Sequence, residues 1–391
     1  MTRPQKVSEK PLSCRNFATK KAFQTLSQRH MVKFLEAVLM LSGMIIGVGM
    51  FAIPFSFARA GFLLGAIELV VLGAVVLAMH LAYGEIVLGT GTRHRLPGYV
   101  KMYLGRPAAL LAWGSALFGI AGALVAYIIV GAIFLRGTLP LFLGGMGDGA
   151  LALIFIAFGA LVALLPLRKE ALVNGILTAV LIGFIVFLSV SLIPKVSPAH
   201  LTGVRLEGFF FPYGILLFAL TGATAIPELV PLLGRSRRKV RLAIAAGSCI
   251  PVLVYILFAA GVVGTVGSSA SPEAIQGLRS VAGESVVQIG SLIGLLAVFT
   301  SFVVLTTAFS SLLALDFGAG RGTARSLSIA IPAALYLLGF QNFIAIIGVV
   351  GTIGVGIDAA LILAAYNRMR AHQGAALSWR VRVVETGVYA A

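Results

Sequence analysis

The chain reads as long apolar runs separated by short polar stretches. Runs long enough to cross a hydrocarbon layer of about 30 Å, roughly 20 residues each, fall at 34–58, 62–88, 109–135, 149–166, 171–193, 208–233, 241–265, 286–315, 325–339 and 341–366. Each predicts a membrane-crossing helix, because a backbone in hydrocarbon must satisfy its own hydrogen bonds. The ninth run is short, and its division from the tenth rests on Gly339, Phe340, Gln341 and Asn342. The first run carries Gly43, Gly47, Gly49 and Pro54 within GMIIGVGMFAIPFSF, residues 43–57. That is poor material for an unbroken helix.

Charge orders these runs in the membrane, since Lys and Arg resist translocation. With a cytosolic N-terminus, five of the 30 Lys/Arg fall outside, namely Arg59, Arg136, Lys195, Arg205 and Arg279; all the others fall in inner loops and tails. One missed run would scramble that alternation. The expected protein is multi-pass, in a plasma (inner) membrane, with both termini cytosolic. A basic tail covers 1–33, a first five-helix unit 34–193, a second 208–366, and a second tail 367–391. The N-terminal tail is too long and polar to read as a secretory leader.

Composition agrees with the lipid bilayer as partner: 59% of residues are hydrophobic, 11% charged, and the mean hydropathy is +1.03. A soluble domain with a solvated surface does not sustain such values. The net charge of +17 lies in short loops, so topology accounts for it better than nucleic acid does. Cys14 and Cys249 make neither a disulfide framework nor a metal cluster. Phosphate-loop, zinc-protease and nucleophile-elbow motifs are missing, so neither an enzyme nor an organic cofactor is expected.

A short repeat gives the runs a plan. GMFAIP at 49–54 is matched by GATAIP at 222–227, each in the first run of a five-run half. Five is odd, so the second half enters from the opposite side and the repeat is inverted. The loop after the first copy holds only Arg59, whereas GRSRRKVR follows the second. Inverted halves with Gly/Pro-interrupted first helices point to a secondary transporter whose site lies at the midplane. Unwound backbone at that depth is tolerated where it lines a cavity. The plainer alternative is that the glycines allow close helix packing and Pro54 only kinks its helix; two symmetry-related interruptions weigh against it.

Ionisable groups inside a membrane are costly and mark function by default. Glu36, Glu85 and Asp316 lie near cytosolic ends of their runs and read as solvated or paired with a loop Arg. Glu228, directly after Pro227, is the candidate gate or proton group. Glu68 and Asp358 either carry a proton or face a wet cleft, and His80 reads as a hydrogen-bonded packing histidine.

GMIIGVGMFAIP, the loop YGEIVLGTGTRHRLPGYVKMYLG (83–105), FALTGATAIPELVPLLGRSRRKVRLAIAAGSCIPVLVYILF (218–258) and TSFVVLTTAFSSLLALDF (300–317) together resemble bacterial permeases of the amino acid/polyamine/organocation superfamily. The nearest relatives look like the aromatic (tryptophan/tyrosine) and amino acid/auxin permeases. The resemblance implies an all-α fold like that of the leucine transporter: a five-plus-five inverted repeat of about ten spans, with spans 1 and 6 broken. It implies an amino acid substrate, aromatic or otherwise neutral, moved by alternating access with one coupling cation, Na⁺ or H⁺.

The same resemblance implies a site. Amides of Val48 and Gly49 would face the carboxylate at a positive helix end, with the Tyr127 hydroxyl beside them. Carbonyls of Ile45, Phe218, Ala219 and Leu220, with Thr221 and Gly222 at the second break, would face the ammonium. A Na⁺ ion wants hard oxygen ligands, and the matching positions are the Gly43 and Ile46 carbonyls with Ala297, Thr300 and Ser301. Their i, i+3, i+4 spacing puts the last three on one helix face. Met50 stands where a second Na⁺ site in some members has Asn, and residues 171–193 lack the Lys of some proton-coupled members. The choice of ion stays open. Two rival readings on the same fold are a passive channel and an amino acid sensor; a metal transporter lacks Asp and Asn ligands at the first break.

Overall fold

The computed structural model describes residues 31–372 except 93, 140, 141, 143, 144, 165–169 and 317. The basic tails at 1–30 and 373–391, Arg93, Arg168 and Lys169 lie outside the described residues, as does the side chain of Asp316.

Among the described residues, helices stand at all ten expected positions. Span 1 is Met31–Ile45 and Val48–Ala60, meeting at 52°. Spans 2 to 5 are Phe62–Gly89, Arg106–Thr138, Asp148–Leu164 and Glu170–Leu192. Span 6 is Phe211–Leu220, a 3₁₀ turn Ala223–Ala225, and Ile226–Leu232. Spans 7, 8 and 9 are Arg237–Val266, Glu284–Asp316 and Arg321–Leu337. Span 10 runs Phe343–Val349, then a π-helical turn Val350–Val355, then Gly356–His372. The division between spans 9 and 10 holds, because the Asn342 side chain caps the new helix by accepting from the Ala345 amide at 3.0 Å.

The two copies of the repeat fold alike. In each, a 3₁₀ turn leads into an α-helix through Ala-Ile-Pro. Ala52 and Ala225 share nearly the same conformation, φ −83° with ψ −15° and φ −80° with ψ −22°. Pro54 and Pro227 sit in the first turn, where a missing N–H costs nothing.

Contacts between loops show which ones share an end. The Arg205 amide donates to Ala60 O at 2.8 Å, the Ser197 amide to Gly264 O at 2.9 Å, and Lys195 Nζ to Val281 O at 2.6 Å. These tie loops 1–2, 5–6 and 7–8 together. At the other end, the Arg235 guanidinium donates to the carbonyls of Val87, Leu88 and Thr90 at 2.7–3.0 Å, covering open acceptors at the C-terminus of span 2. Arg237 pairs with Glu85 at 2.7 Å, as expected for Glu85. This second end carries the Arg-rich loop 6–7 and is called the basic end below.

Spans 6 and 10 approach closely through glycine. A Cβ on Gly351 would collide with the Gly214 carbonyl, and one on Gly214 with the Gly348 carbonyl. Small residues at such a crossing let two backbones touch where no hydrophobic force joins helices in lipid. The contact sets the π-turn of span 10 against the first half-helix of span 6, Phe211–Leu220.

Candidate functional site

The two breaks face each other at the centre of the bundle. A Cβ on Gly49 would lie 2.8 Å from the Phe218 ring and 2.9 Å from the Ala219 Cα; a Cβ on Gly222 would lie 2.5 Å from Ile45 Cγ1. Each glycine therefore sits where the two breaks come closest, Gly49 against backbone and Gly222 against side chains.

Unwinding leaves backbone groups without helical partners, and buried orphans of that kind cost about 1–3 kcal/mol each. Three aromatic and imidazole side chains from the surrounding spans meet them. The Tyr255 hydroxyl of span 7 shares its proton between Ile45 O at 2.8 Å and Ala219 O at 3.0 Å. It thus joins the last carbonyl of the first half of span 1 to the penultimate carbonyl of the first half of span 6. The Tyr127 oxygen of span 3 accepts from the Val48 amide and hydrogen-bonds the Ser301 hydroxyl of span 8. His80 of span 2 lies against the Gly222 amide at 3.3 Å and the Ser248 hydroxyl at 3.0 Å. Proline helps once more: Pro251 lacks an N–H, which frees the Gly247 carbonyl one turn earlier, and Ser42 Oγ of span 1 donates to it at 3.1 Å.

A cavity of about 230 Å³ adjoins the breaks. That is less than the roughly 300–1,000 Å³ of sites for drug-sized ligands, and it suits one small molecule. Its wall is largely apolar, with Met44, Trp113, Ile120, Phe218, Leu305 and Val350. It reaches Arg95 and Pro97 in loop 2–3 and therefore opens toward the basic end. The opposite side is packed shut: Phe51 meets Phe134 at 4.9 Å between ring centroids, Phe55 meets Phe211 at 6.0 Å, and Arg59 lies 5.0 Å over Phe55.

Of the residues singled out from sequence, Ile45, Val48, Gly49, Tyr127, Phe218, Ala219, Thr221 and Gly222 line this cavity. Leu220 is buried behind it. The Ile45 carbonyl already accepts from Tyr255 and from the Gly47 amide at 2.9 Å, which uses both of its lone pairs. Gly43 faces Thr178 of span 5, 3.5 Å from a built Cβ. Thr300 donates to Leu296 O and Ala297 O, both at 3.1 Å, and Ile46 and Ala297 are buried. Glu228 is exposed and stands outside the cavity wall.

Other residues enter only with the structure. Tyr255 and Ser248 gave one weak signal, a hydroxyl inside an apolar run that needs a partner. Asp358, by contrast, was expected from sequence to carry a proton or face a wet cleft, and it lines the cavity with Arg95; its Oδ1 is buried with no hydrogen-bond partner among the described residues. Ser115 of span 3 donates to Gly354 O at 3.0 Å, within the π-turn. Such single-turn insertions recur at functional sites.

The profile of the tryptophan/tyrosine permease family matches residues 30–384. Tyrosine-specific transport system 1 of Haemophilus influenzae is 24% identical over 233 residues, 58% of this chain and 57% of that protein. The divalent metal cation transporter MntH of Mycobacterium tuberculosis is 31% identical over 167 residues, 42% of this chain and 38% of that protein. The chain thus matches little more than half the length of these relatives at most. The crystal structure of MhsT in complex with L-phenylalanine superposes with a TM-score of 0.62 at 14% identity, covering 90% of this chain and 95% of that one. Mhp1, a nucleobase-cation-symport-1 family transporter in a closed conformation with bromovinylhydantoin bound, gives 0.61 at 11%, covering 83% and 76%. These identities speak to fold alone, and the fold is the leucine-transporter-like one that the resemblance implied.

Proposed function

We propose, from the premise that the chain belongs to the tryptophan/tyrosine permease family, that it imports a neutral amino acid, aromatic by preference, by alternating access coupled to one cation. The observation that carries this reading is the Tyr127 oxygen resting on the Val48 amide at the wall of the cavity. An acceptor oxygen already occupies the positive end of the second half of span 1, which is the place a substrate carboxylate would take. The ammonium would meet carbonyls of Phe218 to Leu220 at the second break, and the apolar wall with Trp113 and Phe218 suits an aromatic side chain.

The cavity's reach to the basic end and the aromatic packing at the opposite end support this reading, since alternating access would open one end at a time. Substrate would stabilise the occluded form between them by satisfying the unwound backbone. For a coupling Na⁺, the ligands are Gly43, Ile46, Ala297, Thr300 and Ser301; for a coupling proton, the acceptors are Asp358 in the cavity wall or Glu228 beside it.

Similarity to a protein named as a divalent metal cation transporter favours one second reading, metal transport. Against it, the first break reads Gly47-Val48-Gly49-Met50 and offers no carboxylate to a divalent ion. Uptake by the purified protein in liposomes separates the readings, using L-tryptophan, L-tyrosine, other neutral amino acids and Mn²⁺ under imposed Na⁺ or H⁺ gradients. Accumulation of an aromatic amino acid against its own gradient is the expected result. Equilibration without accumulation would mean a channel, binding without flux a sensor, and Mn²⁺ uptake alone the metal reading.

A further inference from the structure

His80 is fully buried in span 2, and the transport reading above makes no use of it. Its two nitrogens have different partners. Nε2 lies 3.3 Å from the Gly222 amide, and Nδ1 lies 3.0 Å from the Ser248 hydroxyl. An amide N–H only donates, so Nε2 must present its lone pair. The ring proton of the neutral imidazole then sits on Nδ1 and is donated to Ser248 Oγ. Donor and acceptor are thereby ordered across three spans: 7, 2 and the break of 6.

The amide so held is the first one past the end of the half-helix Phe211–Leu220 that belongs to the unwound glycine. Leu41 and Ile45 press on Gly222 from the other side, at 3.1 and 2.5 Å from a built Cβ. Gly222 is thus clamped between an imidazole and span 1, with its N–H already spent.

We infer that His80 is the positioning residue of the span 6 break: it holds the Gly222 amide away from the substrate and fixes the turn that aims the neighbouring Phe218 to Leu220 carbonyls. The inference deepens the amino acid transport reading and rests on it for its functional consequence. In this arrangement the substrate carboxylate is held from span 1 alone, and span 6 contributes acceptors only.

Two substitutions separate the two nitrogens. In H80Q the side-chain oxygen falls near the place of Nε2 and still accepts from Gly222. In H80N the amide nitrogen falls near Nδ1, reaches Ser248, and leaves Gly222 without a partner. Both are neutral and polar, and H80L controls for the methylene that Asn lacks: it fills a volume like that of Gln but offers Gly222 no acceptor, so a histidine that only fills space would tolerate Leu as well as Gln, whereas a positioning histidine would make H80L behave like H80N. For exchange of L-tyrosine and L-tryptophan in liposomes, H80Q should keep KM within about twofold, while H80N should raise it about tenfold, the consequence of one orphaned buried amide. Size-exclusion profiles of the two variants report their folding.

A second measurement is independent of transport. Hydrogen–deuterium exchange of the peptide containing Gly222 should be faster in H80N than in H80Q and the unaltered protein. Equal KM and equal amide exchange in the two variants would overturn the assignment to His80. If the unaltered protein exchanges no amino acid, the transport reading falls, and the amide exchange alone decides whether His80 holds the break.

Discussion

The breaks in spans 1 and 6 arise from the same six-residue pattern and adopt nearly the same turn, yet they are supported differently. In span 1, Gly49 abuts the backbone of its neighbour, with the Ala219 Cα at 2.9 Å from a built Cβ. In span 6, Gly222 abuts side chains only, Ile45 at Cγ1 and Leu41 at Cδ1. The Val48 amide of span 1 is met by Tyr127 at the cavity wall, and the Gly222 amide of span 6 by His80 in the packed interior. The repeat therefore encodes the local turn, while residues outside the repeat decide what each turn does. Span 1 keeps its amide at the cavity wall; span 6 gives its amide to a buried side chain of the scaffold.

The largest effect should come from the position where rigid backbone leaves no room. Gly49→Val, and already Gly49→Ala, forces apart two backbones that cannot yield by a rotamer change, an overpacking that costs about 1–3 kcal/mol or more. Uptake in liposomes should fall to background, with insertion and size-exclusion behaviour kept. Normal transport by Gly49→Ala would break the comparison at its root.

Next is the residue that serves both breaks. Tyr255→Phe takes a shared proton from Ile45 O and Ala219 O and leaves buried acceptors underserved, at about 1–3 kcal/mol. Thermal stability should drop, and exchange should slow by about tenfold or more. A change in KM alone, with stability untouched, would mean that the hydroxyl serves the ligand and not the breaks.

Tyr127→Phe should be milder, because the amide it uncovers lies at a cavity that water or substrate can enter. Its two hydrogen bonds, to the Val48 amide and the Ser301 hydroxyl, are lost at a site that water can serve, and a net cost of roughly 1 kcal/mol predicts a KM about fivefold higher with little change in stability. Equal stability losses in Tyr127→Phe and Tyr255→Phe would erase the distinction between an open and a committed break.

The fold was legible because run length and charge alternation are properties of contiguous sequence, and the breaks were legible because Gly and Pro act locally. The supports were not, since Tyr255 lies 210 residues from Ile45 and His80 lies 142 from Gly222; only packing brings such pairs together. Pro251 was a readable hint, as a proline inside a span always frees a carbonyl for a neighbour. Glu228 shows the opposite difficulty. Its place directly after Pro227 drew attention, but an unwound turn resets the helical phase, so the face it presents cannot be carried over from the half-helix before it. The structure puts it on an exposed face outside the cavity wall.

The smallest effect is expected at the second glycine, and it is the most telling for that reason. Gly222 has φ −150°, outside the left-handed region that excludes side chains. The atoms a new Cβ would meet are Ile45 Cγ1 at 2.5 Å, Leu41 Cδ1 at 3.1 Å and Ile45 Cδ1 at 3.2 Å. Leu41 Cδ1 and Ile45 Cδ1 are tips, and Ile45 Cγ1 belongs to a β-branched side chain that is stiff at χ1 and must shift as a unit; all three are side-chain atoms that can give way without moving backbone, unlike the Ala219 Cα that confronts Gly49. Gly222→Ala should therefore cost less than about 1 kcal/mol, the low end of overpacking, and change KM by about threefold. Because Ile45 also carries the carbonyl bound by Tyr255, part of that change should vanish when Ile45 is shortened to Val, which removes the methyl at the Cδ1 position. A Gly222→Ala defect as complete as that of Gly49→Ala, and unrelieved by Ile45→Val, would show both glycines to be held by backbone, and the two breaks would then differ only in the amide that each commits.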